Sequence, residues 1–447
     1  MTRARLAALW AALVVLAMGL SALIPPMQSP DEHSHVMRAY ALAHGEFLLD
    51  TPPGQSTGAP IDEGLLLFVR PYLMKVVTER ASRLTPADKE MAHGLKWRHK
   101  EHFFPIPGTG YYFPLAYLPH AAALGIGEAL DWSIIHSYRL ARAACIATIA
   151  ALLIAAFRVL RPPLLAVALL ALPMTVYQML QPTLDGVTTA LAVLALSLFT
   201  RRMMDEEGGS PREGWLLAAC LFVVATTRVH LFPLMALPLF LAWRRRSWRA
   251  ALPGLAATVA ALAWTGYAIT HTVDERVKRA QGTGELVRHY VLHPFDYLRV
   301  VWNSLTDDKL ATEYSRSFIG VIGWLDTHMA LYWYTALWIG LGVCLVLTLA
   351  IAAPQRNAAG RGVLAALGLA SVGLAFFALL VTWTPHPATT VEGIQGRYFI
   401  VPALALAYAL APAPGPRRAA RWPWAVAALF TGVALYALIA TILGRYH

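Results

Sequence analysis

Apolar runs of membrane-spanning length punctuate this chain, and that pattern limits the fold more than any motif. The first extends from about Leu6 to Ile24. Others lie near 139–157, 164–180, 183–200, 214–227, 229–243, 250–271, 331–353, 362–384, 397–412 and 422–443. Most approach the roughly 20 residues that about 30 Å of hydrocarbon requires. The 214–227 and 229–243 runs are short and read as a tight pair bent at Thr227 and Arg228. Of 447 residues, 57% are apolar and only 14% charged, against about 45–50% and about 25% in soluble domains. So few charges cannot cover a soluble fold of this size. A cytosolic globular enzyme, a disordered scaffold and a coiled coil are excluded, and the expected fold class is an all-α polytopic membrane protein.

Basic residues give the expected sidedness. Lys plus Arg number 37 and Asp plus Glu 26, a formal charge of +11. In a membrane protein this excess points to cytoplasmic loops and anionic membrane lipid, not to nucleic acid. The segments 1–5, 158–163, 201–213, 244–249, 354–361 and 413–421 hold 16 basic residues in 47 positions, all arginine. All six lysines (Lys75, Lys89, Lys96, Lys100, Lys278, Lys309) lie in the other connections. With those six segments cytoplasmic, the chain alternates through eleven spans to an outside C-terminus. That parity requires 113–129, with Pro114, Pro119 and His120, to be a re-entrant or interfacial helix. The first segment follows Arg3 and Arg5 like a signal peptide. Pro25-Pro26 follows it in place of a small-x-small cleavage site, so an uncleaved first helix is expected. Two large loops, 27–138 and 272–330, then face outside with a shorter one at 385–396, all within one transmembrane domain. Cys145, Cys220 and Cys344 lie in apolar runs, with neither a disulfide framework nor metal-ligand spacing.

Charged groups are costly near a membrane interior and therefore informative. Asp31, Glu32, Arg139, Arg142, Asp185, Arg228 and Arg397 all fall at outer ends of expected spans. Such a one-sided set points to an outward-facing site, whereas a transport pathway would carry polar groups nearer the midplane. The sharpest feature is Pro30-Asp31-Glu32-His33-Ser34-His35, just after the first helix. One reading makes Asp31 a helix cap whose carboxylate accepts free backbone N–H groups. A short amphipathic helix then follows from His35 to Gly45, with Val36, Ala39, Tyr40 and Ala43 on one face and Arg38 and His44 away from it. The other reading places two acids at a cavity mouth, one of them ionised to remove a proton.

The remaining candidates also carry two readings each. Asp185, after Gln181-Pro182-Thr183-Leu184, is either a cap at a hairpin tip or a second acid that orients a hydroxyl or holds a cation. Arg397, in Glu392-Gly393-Ile394-Gln395-Gly396-Arg397-Tyr398, either snorkels to headgroups or offers a donor fork to a phosphate. On the second reading, its flanking glycines admit a bulky anion. Arg228, beside Val229 and His230, either snorkels or supplies a second cation for the same anion. The basic, aromatic stretch of His93, Lys96, Trp97, Arg98, His99, Lys100 and His102 reads as a headgroup-facing surface, its histidines having no specific metal spacing. Ser317 to Asp326 reads as a packed connector, with Asp326 as a helix cap.

Four motifs occur in order: P-D-E-H-S-H with A-x-x-x-G-E (Ala41 to Glu46), L-P-M-T-V-Y-Q…D-G (Leu172 to Gly186), F-I-G-x-x-G-W-L-D (Phe318 to Asp326) and Q-G-R-Y (Gln395 to Tyr398). Together they resemble a family of predicted bacterial membrane proteins of formally unknown function. That family is similar to the C-type glycosyltransferase superfamily. The resemblance implies a bundle of about eleven transmembrane helices with a helical first periplasmic loop, set in the bacterial inner membrane. It implies a sugar donor carried on a polyprenyl phosphate or diphosphate, and a glycan, lipid or protein acceptor. Asp31, with Glu32 beside it, corresponds to the catalytic base. Arg397 and Arg228, with Gln395 and Tyr398, would meet the donor phosphate. His35, Asp185, Gln181, Arg139 and His230 would contact substrate. A divalent cation stays open, because some relatives by fold use one and others do not. A flippase or transporter of lipid-linked sugar, or a polysaccharide ligase or polymerase, is the alternative.

Overall fold

The structure, a computed structural model, describes residues 2–78, 85–205, 210–276, 281–351, 358–410 and 422–447. The arginine-rich segment 413–421 lies outside the described residues, as do parts of 201–213 and 354–361. Seven helices among those described are long and apolar enough to cross a membrane. The chain is a multi-pass membrane protein.

Helix α1 (Arg3–Ser21) begins where the Thr2 hydroxyl accepts the Arg5 amide at 3.4 Å, and it ends ahead of Pro25 and Pro26. The first long connection holds α2 (Glu32–Ala43), β1 (Gly58–Asp62), α3 (Glu63–Pro71), α4 (Pro86–Gly94), β2 (Glu101–Pro105) and α5 (Leu118–Ala129). β1 and β2 pair antiparallel, Gly58 opposite Pro105 and Asp62 opposite Glu101. Little in the sequence signals this pairing, since each strand has five residues and includes a proline, and α3 and α4 lie between them. Helix α5 has 12 residues, about 18 Å of helix, and so is too short to span a bilayer.

Helices α6 (Ile134–Val159), α7 (Leu164–Ala171), α8 (Pro173–Met179), α9 (Leu184–Met204), α10 (Pro211–Thr227), α11 (Ala236–Arg244) and α12 (Trp248–His271) follow. The 164–180 run divides into α7 and α8, because Pro173 drives Leu172 out of the helical region to φ −55° and ψ 140°. The expected bend after Thr227 is present: Arg228 is extended, and a 3-10 turn, Val229–Met235, leads into α11. The second long connection carries α13 (Thr283–Leu292), α14 (Pro294–Thr306) and α15 (Asp308–Ile319). A small hairpin of β3 (Val321–Ile322) and β4 (Thr327–His328) follows. Asp326 lies in the hairpin turn, not at a helix cap, and pairs with Arg445 at 3.6 Å. The chain then runs through α16 (Leu331–Ile351), α17 (Ala358–Thr382), a 3-10 turn at Gly396–Phe399, α18 (Ile400–Ala409) and α19 (Trp422–Tyr446).

Helix α9 forms the axis of the bundle: 83% of its apolar window is buried, against 6% for α1. Small side chains let neighbouring backbones come close along that axis, with Ala192 and Ala195 of α9 and Ala405 of α18 all buried. The two ends of α9 differ in charge. At its C-terminal end Arg201 pairs with Glu213 at 2.7 Å, and Arg202 donates to the Ser210 carbonyl at 2.8 Å. Arg245 of the connection after α11 donates to the Arg202 carbonyl at 3.4 Å, which brings together arginines from two of the arginine-rich segments. The opposite end carries Asp185, one residue into α9. About 24 Å of helix separates Asp185 from Arg201.

Candidate functional site

The segment after α1 is proline-rich, and α2 starts abruptly. Asp31 sits at the N-cap position in the left-handed region, φ 60° and ψ 9°, and its side chain makes no capping bond. The capping reading of Asp31 is thereby corrected. An Asp tolerates this conformation better than most residues, and here the turn leaves the carboxylate exposed. Glu32 points the other way and is completely buried. Its carboxylate accepts the Ser29 amide at 2.9 Å and the Tyr138 hydroxyl, with Arg142 at 3.8 Å. Burial raises the Glu32 pKa, and Arg142 opposes that shift. Arg38, expected on the outer face of α2, is buried, because its guanidinium donates to the Glu46 and Phe47 carbonyls at 2.7 Å each.

Arg142 holds three segments together. It donates to the carbonyls of Ser21 at 2.9 Å and Ile24 at 3.1 Å, and to Gln181 Oε1 at 2.7 Å. The end of α1, the Asp31 turn and the turn before α9 thus meet on one buried guanidinium. Gln181 belongs to this cluster. Arg139, one turn earlier on α6, is exposed and lies beside Tyr72, away from the other candidate residues.

Asp185 is not a helix cap. Thr183 occupies the N-cap of α9, and the Asp185 carboxylate is saturated from three sides. Arg228 donates Nε to Oδ1 at 2.9 Å and Nη2 to the same oxygen. Arg397 Nη1 reaches Oδ2 at 3.3 Å, and Gln178 Nε2 reaches it at 3.1 Å. Neither arginine snorkels, since their side chains are 13% and 5% exposed. Arg228 also donates to the Tyr112 hydroxyl at 2.9 Å and lies over that ring. The Arg397 Nε and Gln395 Oε1 atoms are buried with no hydrogen-bond partner. Gly396 does not open space for an anion: its amide donates to Ser317 Oγ at 2.8 Å, and any Cβ would collide with the α15 backbone at Phe318. The glycine instead lets the Arg397 turn lie flat against α15.

His35 and Tyr112 join Asp31 to the arginine pair. His35 Nδ1 lies 2.8 Å from the Tyr117 hydroxyl, and its ring stacks on Tyr112 at 6.0 Å. Burial, reinforced by Arg228, lowers the His35 pKa to about 3, so the ring is neutral at neutral pH. His33 stacks on Trp324 at 5.5 Å and is lowered by desolvation to about 4. Trp324 also donates to the Met27 carbonyl at 2.8 Å, so the second long connection pins the turn that carries Asp31. His230 lies against Tyr398, ring centroids 5.6 Å apart. Asp31 interacts electrostatically with His33, His35, Tyr112, Arg276 and Arg397.

The family described as predicted membrane protein (DUF2142) has a model that matches residues 13–407. The chain belongs to this family. No curated protein and no solved structure matches it. The matched span runs from within α1 into α18 and contains every residue of the cluster. Its family label names a membrane protein and leaves the activity unassigned.

Some members of the site carry no legible signal in the sequence. Arg276 lies on the second long connection and is held by Asp274 through Nε at 2.8 Å and Nη2 at 2.6 Å, with Asp31 in its field. Tyr112 and Tyr138 are ordinary aromatics until the fold brings each against an arginine. Among the described residues, no group of three or more His, Cys, Asp or Glu side chains is arranged to hold a metal ion. The basic stretch of the first connection is largely neutralised. Arg98 and Lys100 pair with Glu63 at 3.1 and 3.5 Å, and Lys96 pairs with Asp131 at 3.3 Å.

Proposed function

We propose that this protein is an inverting membrane glycosyltransferase that moves a sugar from a polyprenyl-phosphate or diphosphate donor to an extracytoplasmic acceptor. The observation that carries the reading is an exposed, uncapped Asp31 carboxylate in the field of a buried guanidinium, Arg397, one of whose N–H groups has no partner. A transferase that expels a phosphate needs a base at the acceptor oxygen and fixed positive charge at the leaving group. Nothing else in the cluster has an evident structural need for both.

In this reading the acceptor hydroxyl attacks the anomeric carbon while Asp31 takes its proton. The bond from the anomeric carbon to the phosphate oxygen breaks through an oxocarbenium-like transition state. The electron pair passes to the phosphate, where Arg397 and Arg228 stabilise it. A single displacement inverts the anomeric centre. Neutral His35, stacked on Tyr112, adds no charge to the site. Glu32 lies in the Arg142 cluster and positions the Asp31 turn, so the base role rests on Asp31 alone. Gln395 and Tyr398 flank Arg397 at the phosphate, and His230 and Asp185 complete the wall. A divalent cation fits this donor set poorly. Asp185 already accepts four hydrogen bonds from Arg228, Arg397 and Gln178, and Asp31 alone is too few ligands.

The membrane arrangement belongs to the same proposal. Counting α7 with α8, α10, the Val229–Arg244 segment and the Gly396–Ala409 segment as crossings brings the spans to eleven. The arginine-rich end then faces the cytoplasm and the cluster faces the periplasm of a bacterial inner membrane, with α5 lying in the interface. A superfamily-type C bundle is the architecture this count supports. A flippase for the same lipid is the rival of a different class. Protein reconstituted in liposomes with lipids extracted alongside it separates the two. Sugar appearing on an acceptor supports the transferase, and intact lipid-linked sugar crossing the bilayer supports the flippase. Mass spectrometry of the co-purified lipids names the donor to test.

A further inference from the structure

We infer that the donor is a polyprenyl monophosphate sugar, not a diphosphate, an inference that rests on the glycosyltransferase reading above. The net charge of a buried site decides between them. Arg228, Arg397 and Asp185 form one hydrogen-bonded group with side-chain exposures of 13%, 5% and 11%. Two guanidiniums and one carboxylate leave a single net positive charge. The cluster is also incomplete, because Arg397 Nε is buried without a partner, and a buried donor of this kind calls for an acceptor. An anion is the acceptor that fits both facts.

A sugar phosphodiester carries one negative charge and matches that surplus. A sugar diphosphate carries two and exceeds the surplus of this buried group by one. The next cation, Arg276, is already held by both Asp274 oxygens, so it adds no net charge. The reaction keeps the balance: Asp31 is neutralised by the acceptor proton as the departing phosphate gains the electron pair of the broken bond. The total charge beside the two arginines is therefore unchanged from donor to product. With a diphosphate donor the same step carries one more negative charge throughout than the buried surplus can match, in surroundings that screen it weakly.

Binding to the full-length protein in phosphatidylcholine nanodiscs tests this, with two synthetic probes that avoid the unknown sugar. Undecaprenyl methyl phosphate carries one charge and undecaprenyl methyl diphosphate carries two. The monophosphate should bind about tenfold more tightly or better, and Asp185→Asn, which raises the surplus by one charge, should narrow or reverse that preference. If the Asp185 variant does not fold, Asp31→Asn at the exposed acid should narrow the preference in the same direction. Equal affinity, or tighter binding of the diphosphate by the unmodified protein, overturns the inference and leaves the transferase reading standing. Binding of neither probe above a phosphatidylglycerol control overturns the transferase reading, and the inference with it.

Discussion

Arg397 Nη1 lies 3.3 Å from Asp185 Oδ2, although 212 residues separate the two in the chain. Asp185 therefore occupies two cations that the proposed donor phosphate would otherwise meet bare. It keeps them charged and oriented in a buried setting where an unpaired guanidinium would be costly. Arg228, on the far side of the same carboxylate, fixes the spacing of the pair.

Asp31→Asn keeps the shape of the turn and removes the proposed base. Sugar transfer should fall by about 10²–10⁴-fold, the usual worth of general-base catalysis, while expression and thermal stability stay near those of the unmodified protein. Turnover at the unmodified rate would remove the assignment of Asp31 as base.

Arg397→Ala should weaken lipid-donor binding more than acceptor binding. A lost charge-assisted hydrogen bond is worth about 1.5–3 kcal/mol, so donor affinity should drop by about an order of magnitude or more. Titrating donor and acceptor separately checks this, and equal donor affinity in both proteins would contradict it.

Arg142→Met tests the anchor of the Asp31 turn. The substitution leaves Glu32 buried without its cation, which costs about 3–5 kcal/mol. Thermal unfolding in detergent should show a clear loss of stability. The double variant Glu32→Gln, Arg142→Met should recover part of it, because no charge is then left unpaired. No recovery would mean that Arg142 acts mainly through the Ser21 and Ile24 carbonyls.

Stability should fall on mild acidification. The His35 pKa is lowered from 6.5 to about 3, so below 6.5 the unfolded chain takes up a proton that the folded chain refuses. The stabilisation that neutral His35 contributes is complete above 6.5 and is lost progressively as the pH falls toward about 3. His33, lowered to about 4, acts in the same direction. Thermal melts of His35→Gln across that range should show a shallower pH slope than the unmodified protein, and an unchanged slope would contradict the assignment.

The spans and the site were legible in the sequence to different depths. Long apolar runs mark the membrane helices directly, because length and composition suffice. The breaks at Pro173 and Arg228 follow from local backbone rules. The side of a helix that faces inward does not: Arg139 and Arg142 sit three residues apart on α6, and only packing against α1 makes the second the buried anchor. The motif residues Asp31, His35, Asp185, Arg228 and Arg397 do come together. Their roles within the cluster depend on torsions and contacts that no spacing encodes, above all the left-handed Asp31 and the glycine that seats the Arg397 turn on α15.

In the proposed reaction the Asp31 carboxylate drives cleavage of a lipid-linked sugar. The direct measurement is product analysis from liposomes containing the purified protein, its co-purified lipid-linked sugar and an acceptor extract. Release of polyprenyl phosphate should keep step with sugar appearing on the acceptor, and both products should fall by about 10²–10⁴-fold with Asp31→Asn. Lipid-linked sugar recovered intact on the far leaflet, at equal rates for both proteins, would contradict it.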